Sequence, residues 1–505
     1  MQMRADYFNS NIAYELQAPK IAGKTVSNNQ NDLSALFLER VFALANDDGY
    51  VAQVLPGAIY SGSNTKDLRL YLLEETDLEA VVGFENHGIF SDIHPQYQFG
   101  VVAFKNSGET DVLRGVFQQR DLDVLGEFRE RTVEIPKRVL AEYSPEARIF
   151  PSVRQQREVD ALDTILSHPP IGEHIDSTWM IDPYSELHRS KDAELFVENP
   201  DDGDYPIYQG KNVYQHTHDS MVFDLDEVSL WGVEDTDPER SANRFIQSKG
   251  TRALKRALYD AFGGETTSHS QKRFLNELLG DARSRELSTD DVLPDCTEYR
   301  IVLREVARVT DERTSIAAVI PKHALAVHTL HTIRPYRLDP SRDDLTETPL
   351  HGAYERVFTD EELFVAVGLL NSLPFDFLMR TKVDSHIVMY KLKESQLPRL
   401  TAGDDFFEYI WTRAARLNCY GDAFAEMRER LGGIDPATDE DERRELQAEI
   451  DAAAFHAYGL SHEETQFILD DFHRVRTPRL MTEEYFDLVE QEYADLAAGV
   501  PASDS

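Results

Sequence analysis

The sequence predicts an α/β fold at its start, and three observations carry this prediction. Apolar residues recur at helical spacing in a first segment, namely Leu33, Leu36, Phe37, Val41 and Leu44. An apolar run at residues 50–55 follows and ends at Pro56-Gly57, as a buried strand does. A second helical pattern then includes Leu68 and Leu72. Helix, strand and helix in alternation indicate a parallel sheet.

Two more strands are predicted from the next apolar runs. Residues 78–84 form a short run, and residues 97–104 alternate along their length. Because the connection between them is short, we expect them to pair antiparallel at the edge of the sheet. The chain then becomes polar, and residues 135–151 resemble a connector with a proline near each end. A domain boundary is therefore expected near residue 145.

The composition is that of a globular protein. A length of 505 residues leaves room for two to four domains, and 41% hydrophobic residues suffice for ordinary cores. The sequence has no apolar run of membrane-spanning length and no secretory signal at its start, so we expect a cytoplasmic location without a membrane partner. Cys296 and Cys419 are too few for a disulfide framework, and we expect buried thiols.

By itself, the net charge of −39 argues against nucleic acid as a partner. The distribution of the charged residues changes this interpretation. Only 14 of the 52 basic residues are lysines, and the acidic residues are dispersed along the chain. This pattern is typical of proteins from salt-loving (halophilic) microbes. At molar salt the Debye length is about 3 Å, so the global charge would hardly be felt by an approaching duplex. DNA binding would then depend on fitted arginines at close range.

The first segment also resembles a known family. The residues that carry the resemblance are Asp32-Leu33, Ala35 to Arg40, Leu55-Pro56, Ser61-Gly62, Leu68-Arg69, Phe84-Glu85-Asn86, Ile89-Phe90 and Phe99. In these residues the segment is similar to the downstream half of the catalytic domain in adenine-specific DNA methyltransferases. The similarity is greatest to the fused, single-chain type II (type IIG-like) restriction-modification enzymes and to related phage-defence methylases.

The resemblance implies a partial Rossmann-like methyltransferase sheet. In that family the sheet begins with an S-adenosylmethionine loop and continues to an Asn-Pro-Pro-Tyr motif that holds the flipped adenine, and neither occurs in this sequence. We therefore expect an upstream polypeptide to carry both and to bind most of the cofactor. No residue of this chain is assigned to catalysis, to the cofactor or to a metal. Tyr97 and Phe99 are candidates for packing near the flipped base, by their position alone.

Three regions are expected: residues 1–145 as the methyltransferase half, 146–403 as an α+β target-recognition domain, and 404–505 as a helical C-terminal region. Residues 206–216 are similar to the segment that opens the recognition domain of the family. There Lys211 can meet a phosphate, while Tyr214 and His216 offer flat faces and donors. The alternative is a strand-turn-strand with half-buried tyrosines. A metal site at His216 and His218 is disfavoured, because no further ligand follows at a recognisable spacing.

Two further groups of cations are candidates for DNA binding. A strand predicted at residues 299–308 would place Arg300, Arg304 and Arg308 on one face, which can grip phosphates or read guanine edges. An arginine face paired with carboxylates is the alternative. Lys382 and Lys391, with His386 and Lys393, suggest a DNA-facing edge.

The predicted function is DNA target recognition within a site-specific adenine-N6 methyltransferase that uses S-adenosylmethionine and acts on double-stranded DNA. A non-enzymatic DNA-specificity subunit and an inactive remnant are the alternatives. An adjacent upstream reading frame that ends in Asn-Pro-Pro-Tyr would favour the enzyme.

Overall fold

The computed structural model describes residues 14–21, 24–25, 33–95, 97–197, 203, 205–222, 232–233, 242–263, 271–309, 311–383, 385–473 and 478–499. Asp32, which contributes to the family resemblance, lies outside these residues.

The described strands are β1 Lys20–Ile21, β2 Lys24–Thr25, β3 Tyr50–Pro56, β4 Asp77–Glu85, β5 Gln98–Lys105, β6 Val112–Gln119, β7 Val133–Pro136, β8 Pro183–Tyr184, β9 Ile207–Tyr208, β10 Arg300–Arg304, β11 Ala317–Ile320, β12 Leu325–Ala326, β13 Leu330–Ile333, β14 Tyr336–Leu338 and β15 Tyr354–Arg356. The described α-helices are α1 Leu33–Leu44, α2 Ala58–Ser61, α3 Lys66–Glu74, α4 Phe128–Arg131, α5 Lys137–Tyr143, α6 Gln156–Leu166, α7 Ala242–Phe262, α8 Gln271–Arg283, α9 Asp360–Asn371, α10 Leu373–Lys382, α11 Met389–Lys393, α12 Phe407–Asn418, α13 Ala425–Arg430, α14 Glu440–Ala457, α15 His462–Phe472 and α16 Glu483–Ala497.

The first sheet is mixed, with the strand order β3-β5-β4-β6-β7. The antiparallel pairing predicted for the two strands β4 and β5 is confirmed. Their expected place at the edge is wrong, because β5 lies between β3 and β4 and pairs antiparallel with both. Strands β3 and β4 therefore run in the same direction without touching, and the parallel pairing is between β4 and β6.

Strands β6 and β7 lie in a stretch that the sequence pattern assigned to polar and connecting segments. In β6 the residues Leu113, Val116 and Phe117 are buried, but Arg114 and Gly115 interrupt their alternation. Strand β7 has four residues, too few for a period of two to stand out. The sheet consequently extends to Pro136 on the side opposite β3.

The middle of the chain forms a second sheet of four short strands in the order β11-β10-β13-β8, all paired antiparallel. The strand predicted at residues 299–308 is confirmed only for Arg300–Arg304. Helices α7 and α8 pack on each other through Leu254, Leu258, Leu275 and Leu279, with a small core of their own.

The C-terminal region is helical, as predicted. Capping boxes begin two of the helices: the Thr359 hydroxyl accepts a hydrogen bond from the Glu362 amide at the start of α9, and the Ser461 hydroxyl accepts one from the Glu464 amide at α15. Helices α9, α10, α12, α14 and α16 share one continuous core with the first sheet. Cys296 and Cys419 are buried free thiols, as expected.

No single described helix is both long and apolar enough to cross a membrane. Helices α9 and α10 reach that length and composition only as a pair, which is bent by 56°.

Candidate nucleic-acid interface

A cleft of about 820 Å³ opens where the first sheet faces the middle of the chain. Glu85 and Arg120 contribute to one wall, at the C-terminal ends of β4 and β6, and Tyr214, Arg304 and Arg380 contribute to the other. The carboxyl ends of strands are the edge at which open α/β sheets bind ligands. The cleft therefore joins the two regions at a position suited to a ligand.

Four of the five arginines that line the cleft are neutralised by carboxylates. The ion pairs join Arg120 to Glu85 at 2.9 Å, Arg154 to Glu158 at 2.8 Å and to Asp471 at 2.5 Å, Arg313 to Asp451 at 2.8 Å and Arg380 to Asp376 at 3.0 Å. Arg154, Arg313 and Arg380 are held in the lining of the cleft by these pairs, and little of their charge is available to a ligand. The pair of Arg120 with Glu85 lies at the surface.

Arg304, the fifth arginine, forms no salt bridge and no side-chain hydrogen bond with another residue in the described parts of the chain. Its Nε is buried without an acceptor, and its guanidinium lies 5.7 Å from the centre of the Tyr214 ring. Burial lowers the pKa of Arg304, and Asp311 acts on it only through space. Arg304 is half-buried, and leaving its enclosed Nε without an acceptor is costly, so this guanidinium is suited to an incoming anion or to a pair of acceptors.

Tyr214 connects the cleft to the C-terminal region. Its hydroxyl donates a 3.1 Å hydrogen bond to Glu312, and the other oxygen of that carboxylate accepts from the backbone amides of Arg479, Leu480 and Met481. The Arg479 guanidinium lies 6.0 Å from the centre of the Tyr214 ring. Sequence reasoning missed Arg479, because nothing in its local pattern indicates that it lies near a tyrosine ring 265 positions earlier.

The buried position of Tyr214 changes its expected role. The ring packs against Ile316 and Leu480 and is 8% exposed, so its face is not free for stacking. Burial also raises the pKa of its hydroxyl. Tyr214 positions two guanidiniums instead of presenting a flat surface.

Of the other predicted cations, two are exposed and lie outside the cleft. Lys211 is on a short turn, Gly210–Asn212, that is closed by reciprocal hydrogen bonds between Gln209 and Asn212. Arg308 is exposed beyond the end of β10.

The predicted arginine face does not form. Arg300 is fully buried and its guanidinium pairs with Glu186 at 2.8 Å, whereas Arg304 lines the cleft and Arg308 lies beyond the strand. The ion-paired alternative therefore holds for Arg300, and a DNA-binding role of Arg304 and Arg308 stays a prediction.

His216 is also corrected, since its side chain is 2% exposed. Asn418 donates a 3.0 Å hydrogen bond to its Nδ1, and burial lowers the pKa of its imidazole to about 3. The ring is neutral in the core and cannot present donors to DNA. Among the described residues no group of three or more His, Cys, Asp or Glu side chains is arranged to hold a metal ion.

Lys382 and Lys391 do not form the exposed edge that the sequence suggested. Both are buried: the Lys382 ammonium donates to the Glu394 carbonyl at 3.1 Å, and that of Lys391 donates to the Lys382 carbonyl. Burial lowers the pKa of Lys382 to about 7. These lysines cap backbone carbonyls near α10 and α11.

The candidates for base packing lie at the same end of the first sheet. Tyr97 is 43% exposed, but Phe99 is 5% exposed and its ring lies 5.0 Å from those of Phe84 and Phe90. Phe90 is 42% exposed. Phe90 is therefore a further exposed ring at this end of the sheet, and Phe99 lies beneath it. The sequence pattern did not single out Phe90 as a candidate for base packing.

Asn86 fixes the loop between β4 and β5 on which Phe90 and Tyr97 lie. Its side-chain amide donates to the carbonyls of Phe90 and Ile93 at 2.9 and 2.8 Å, and its Oδ1 accepts from the Phe90 amide at 2.7 Å. Because Asn86 is fully buried, these bonds hold the loop rigidly at the end of the sheet.

Residues 7–90 match the family described as the Eco57I restriction-modification methylase. The resemblance to restriction-modification methylases is confirmed. The match ends at Phe90, so it includes α1 to β4 and the first residues of the loop between β4 and β5. No curated protein sequence matches the chain.

Three solved structures are similar to parts of the chain. They are the type IIL restriction-modification enzyme MmeI in complex with DNA (11% identity, 88% of this chain and 52% of that one, TM-score 0.38), the type IIG restriction endonuclease BpuSI (14%, 94% and 51%, 0.30) and a nuclease-deletion mutant of the type ISP enzyme LlaGI with a DNA substrate mimic (11%, 77% and 37%, 0.35). The chain spans about half the length of the first two proteins.

Proposed function

We propose that this chain reads DNA within a site-specific DNA methyltransferase of a restriction-modification or phage-defence system, which transfers a methyl group from S-adenosylmethionine to adenine N6. The observation that carries the proposal is Arg304. Its guanidinium lies in a cleft without a protein acceptor among the described residues, in a chain with 91 acidic residues that could have supplied one. DNA phosphates and guanine edges supply paired acceptors of the geometry that arginine prefers.

The surroundings of the cleft support the same function. The rings of Phe90 and Tyr97 are exposed at the end of the sheet on which Glu85 lines the cleft. A flipped base needs a flat apolar surface to replace the stacking it loses. Phe90 and Tyr97 would supply this surface, with Phe99 supporting Phe90 from below.

Exposed cations would add contacts to the phosphate backbone of DNA. Lys211 and Arg308 are assigned to phosphates, because they are exposed and phosphate contacts tolerate a flexible side chain. His216, Lys382 and Lys391 are removed from the proposed interface, since their side chains are enclosed by protein.

The first sheet has an open edge that suits a second polypeptide. Among the described residues β3 pairs only with β5, and its Tyr50 is 75% exposed. On the neighbouring helix α1, Leu33, Phe37 and Leu44 are exposed on one face. We assign this surface to the upstream polypeptide that carries the cofactor loop and the Asn-Pro-Pro-Tyr motif. A strand added at this edge would extend the sheet, and its helix would cover the apolar face.

The turn after β3 does not fit S-adenosylmethionine. Gly57, the glycine that follows β3, is closely packed: a Cβ there would lie 2.7 Å from the Cβ of Gln98 and 2.9 Å from the Tyr60 hydroxyl. This turn is therefore not an open loop into which a cofactor could settle. No step of the methyl transfer is assigned to this chain.

Binding of the Arg304→Ala variant to DNA tests the function. A duplex enriched from a random library on the wild-type protein is titrated at fixed salt. If Arg304 reads a base, the variant loses about 1 to 3 kcal/mol of binding and relaxes specificity at one base pair. If it contacts a phosphate, all duplexes weaken alike.

Arg337→Ala is the matched control, because this exposed arginine pairs with Glu355 and lies outside the cleft. Unchanged binding and unchanged site preference in Arg304→Ala would remove the cleft as the reading site. Absence of duplex binding by the wild-type chain, alone and with the upstream polypeptide, would reject the function.

A further inference from the structure

Helix α7 has a charge opposite to that of the chain. Its 21 residues include five lysines and arginines and a single acidic residue, Asp260. The whole chain has 52 basic and 91 acidic residues, so acidic residues would outnumber basic ones in an average segment. The basic character of α7 is therefore a local property that the overall composition does not explain.

The cations of α7 are separated from its apolar side. Leu254 and Leu258 are fully buried against helix α8. Arg252, Lys255 and Arg256 are exposed. Lys255 and Arg256 come three and four residues after Arg252, which puts all three on one side of the helix. These three residues form the basic face of α7.

Little in the described structure neutralises this basic face. Arg256 has Asp260 at 3.5 Å, but both side chains are more than half exposed and such pairs contribute little. Arg252 and Lys255 form no salt bridge with another described residue. Elsewhere in the chain exposed arginines commonly meet carboxylates, as Arg114 meets Glu134.

A fourth cation of α7 has a different role. The Lys249 ammonium donates a 2.9 Å hydrogen bond to the Glu186 carbonyl, and burial lowers its pKa. The side chain of Glu186 pairs with Arg300 of β10. Lys249 thus ties the helix to the second sheet, in which strand β10 ends at Arg304. This fixes the basic face relative to that strand.

We propose that the basic face of α7 binds the phosphate backbone of duplex DNA outside the cleft. An exposed row of cations matches the spaced anions of a backbone and needs no base readout. The contact is short-ranged, which suits a chain of charge −39 that repels DNA at a distance and attracts it only where cations touch phosphates. The inference rests on the proposed function only in naming DNA as the polyanion.

The test compares two triple variants of the 505-residue chain. Arg252→Gln, Lys255→Gln and Arg256→Gln remove the basic face. Arg114→Gln, Arg157→Gln and Arg444→Gln change the net charge equally at two exposed positions and one half-buried position elsewhere. Fluorescence anisotropy with a labelled random-sequence duplex gives the dependence of log K on log salt concentration. The first triple is expected to reduce the magnitude of this slope by about 2 to 3, and the control by less than about 1.

The charge-retaining variant Arg252→Lys with Arg256→Lys is expected to keep the wild-type slope, and thermal melting checks that every variant folds. Equal slopes for the two triples would overturn the inference. Binding to vesicles of anionic phospholipid without binding to duplex would overturn it as well, in favour of a membrane surface. If the first triple lowers the slope while Arg304→Ala changes nothing, the basic face stands and only the reading role of the cleft fails.

Discussion

Lys382 is a residue whose protonation is coupled to folding. Its ammonium is enclosed by protein, and burial brings its pKa down to about 7, while an unfolded lysine titrates near 10.4. Between these values the unfolded chain binds more protons than the folded chain, so this group makes stability rise with pH across that window by up to about 1.4 kcal/mol per pH unit. Below about pH 7 the site is charged in both states and the slope disappears.

The measurement is chemical denaturation at a series of pH values for the wild type and for Lys382→Met, which keeps the volume without the charge. We expect the stability of the wild type, relative to the variant, to increase from pH 7 toward pH 10. Parallel pH profiles for the two proteins would show that the ammonium is hydrated in the folded state.

At the scale of residues, the sequence shows which side chains are available but not whether each is buried or ion-paired. Arg300 and Arg304 have the same side chain and the same place in a period-two pattern, yet one pairs with Glu186 and the other is left without an acceptor among the described residues. The difference arises from Glu186, 114 positions away from Arg300, which the local pattern cannot reveal. The burial of His216 likewise depends on Asn418, 202 positions away.

At the scale of elements, a prediction concerns the exposed apolar face of helix α1 beside strand β3. Phe37 is 60% exposed on the apolar face of α1, so Phe37→Ser is expected to change the stability of this chain by less than about 0.5 kcal/mol. The same variant is expected to abolish association with the upstream polypeptide. Isothermal titration calorimetry gives the second readout, because S-adenosylmethionine should bind the reconstituted pair and not this chain alone.

Phe42→Ser is the matched contrast on the same helix, since Phe42 is buried and packs on Tyr71 with 4.3 Å between the ring centres. It should unfold the sheet region itself, at a cost of about 3 to 5 kcal/mol. Micromolar cofactor binding by this chain alone would contradict the division of labour, as would normal association of the Phe37 variant.

A strand pairing was predictable where apolar and polar residues alternate along the strand and its partner strand is close in sequence. The antiparallel pair β4 and β5 meets both conditions, and its pairing was predicted correctly. The insertion of β5 between β3 and β4 was not, because strand order depends on which edges remain to be covered and not on local spacing. Strands β6 and β7 were missed for a local reason, the Arg114-Gly115 interruption and the short length of β7.

At the scale of the whole molecule the surplus of acidic residues opposes compactness. The net charge is −39, and the partners of many arginines are already fixed, as in the pairs of Arg138 with Asp163 and of Arg413 with Glu449. Two salt effects then compete. Low salt strengthens each surface ion pair, which is worth about 0 to 1 kcal/mol, but it also extends the repulsion among the unpaired carboxylates from about 3 Å at molar salt to about 10 Å at 0.1 M.

The repulsion is expected to win, because it acts among all the surplus charges while each ion pair acts alone. Dilution from molar to about 0.1 M salt should therefore lower the melting temperature and weaken or unfold the chain. Circular dichroism during heating measures both. Sucrose added in place of salt separates screening from general stabilisation, since it strengthens burial without shielding charge. If the melting temperature is the same at both salt concentrations, the acidic surface is not an adaptation to salt. DNA binding would then have to overcome the repulsion of the whole chain, and the contacts of Arg304 and of the basic face of α7 would be too few to supply affinity.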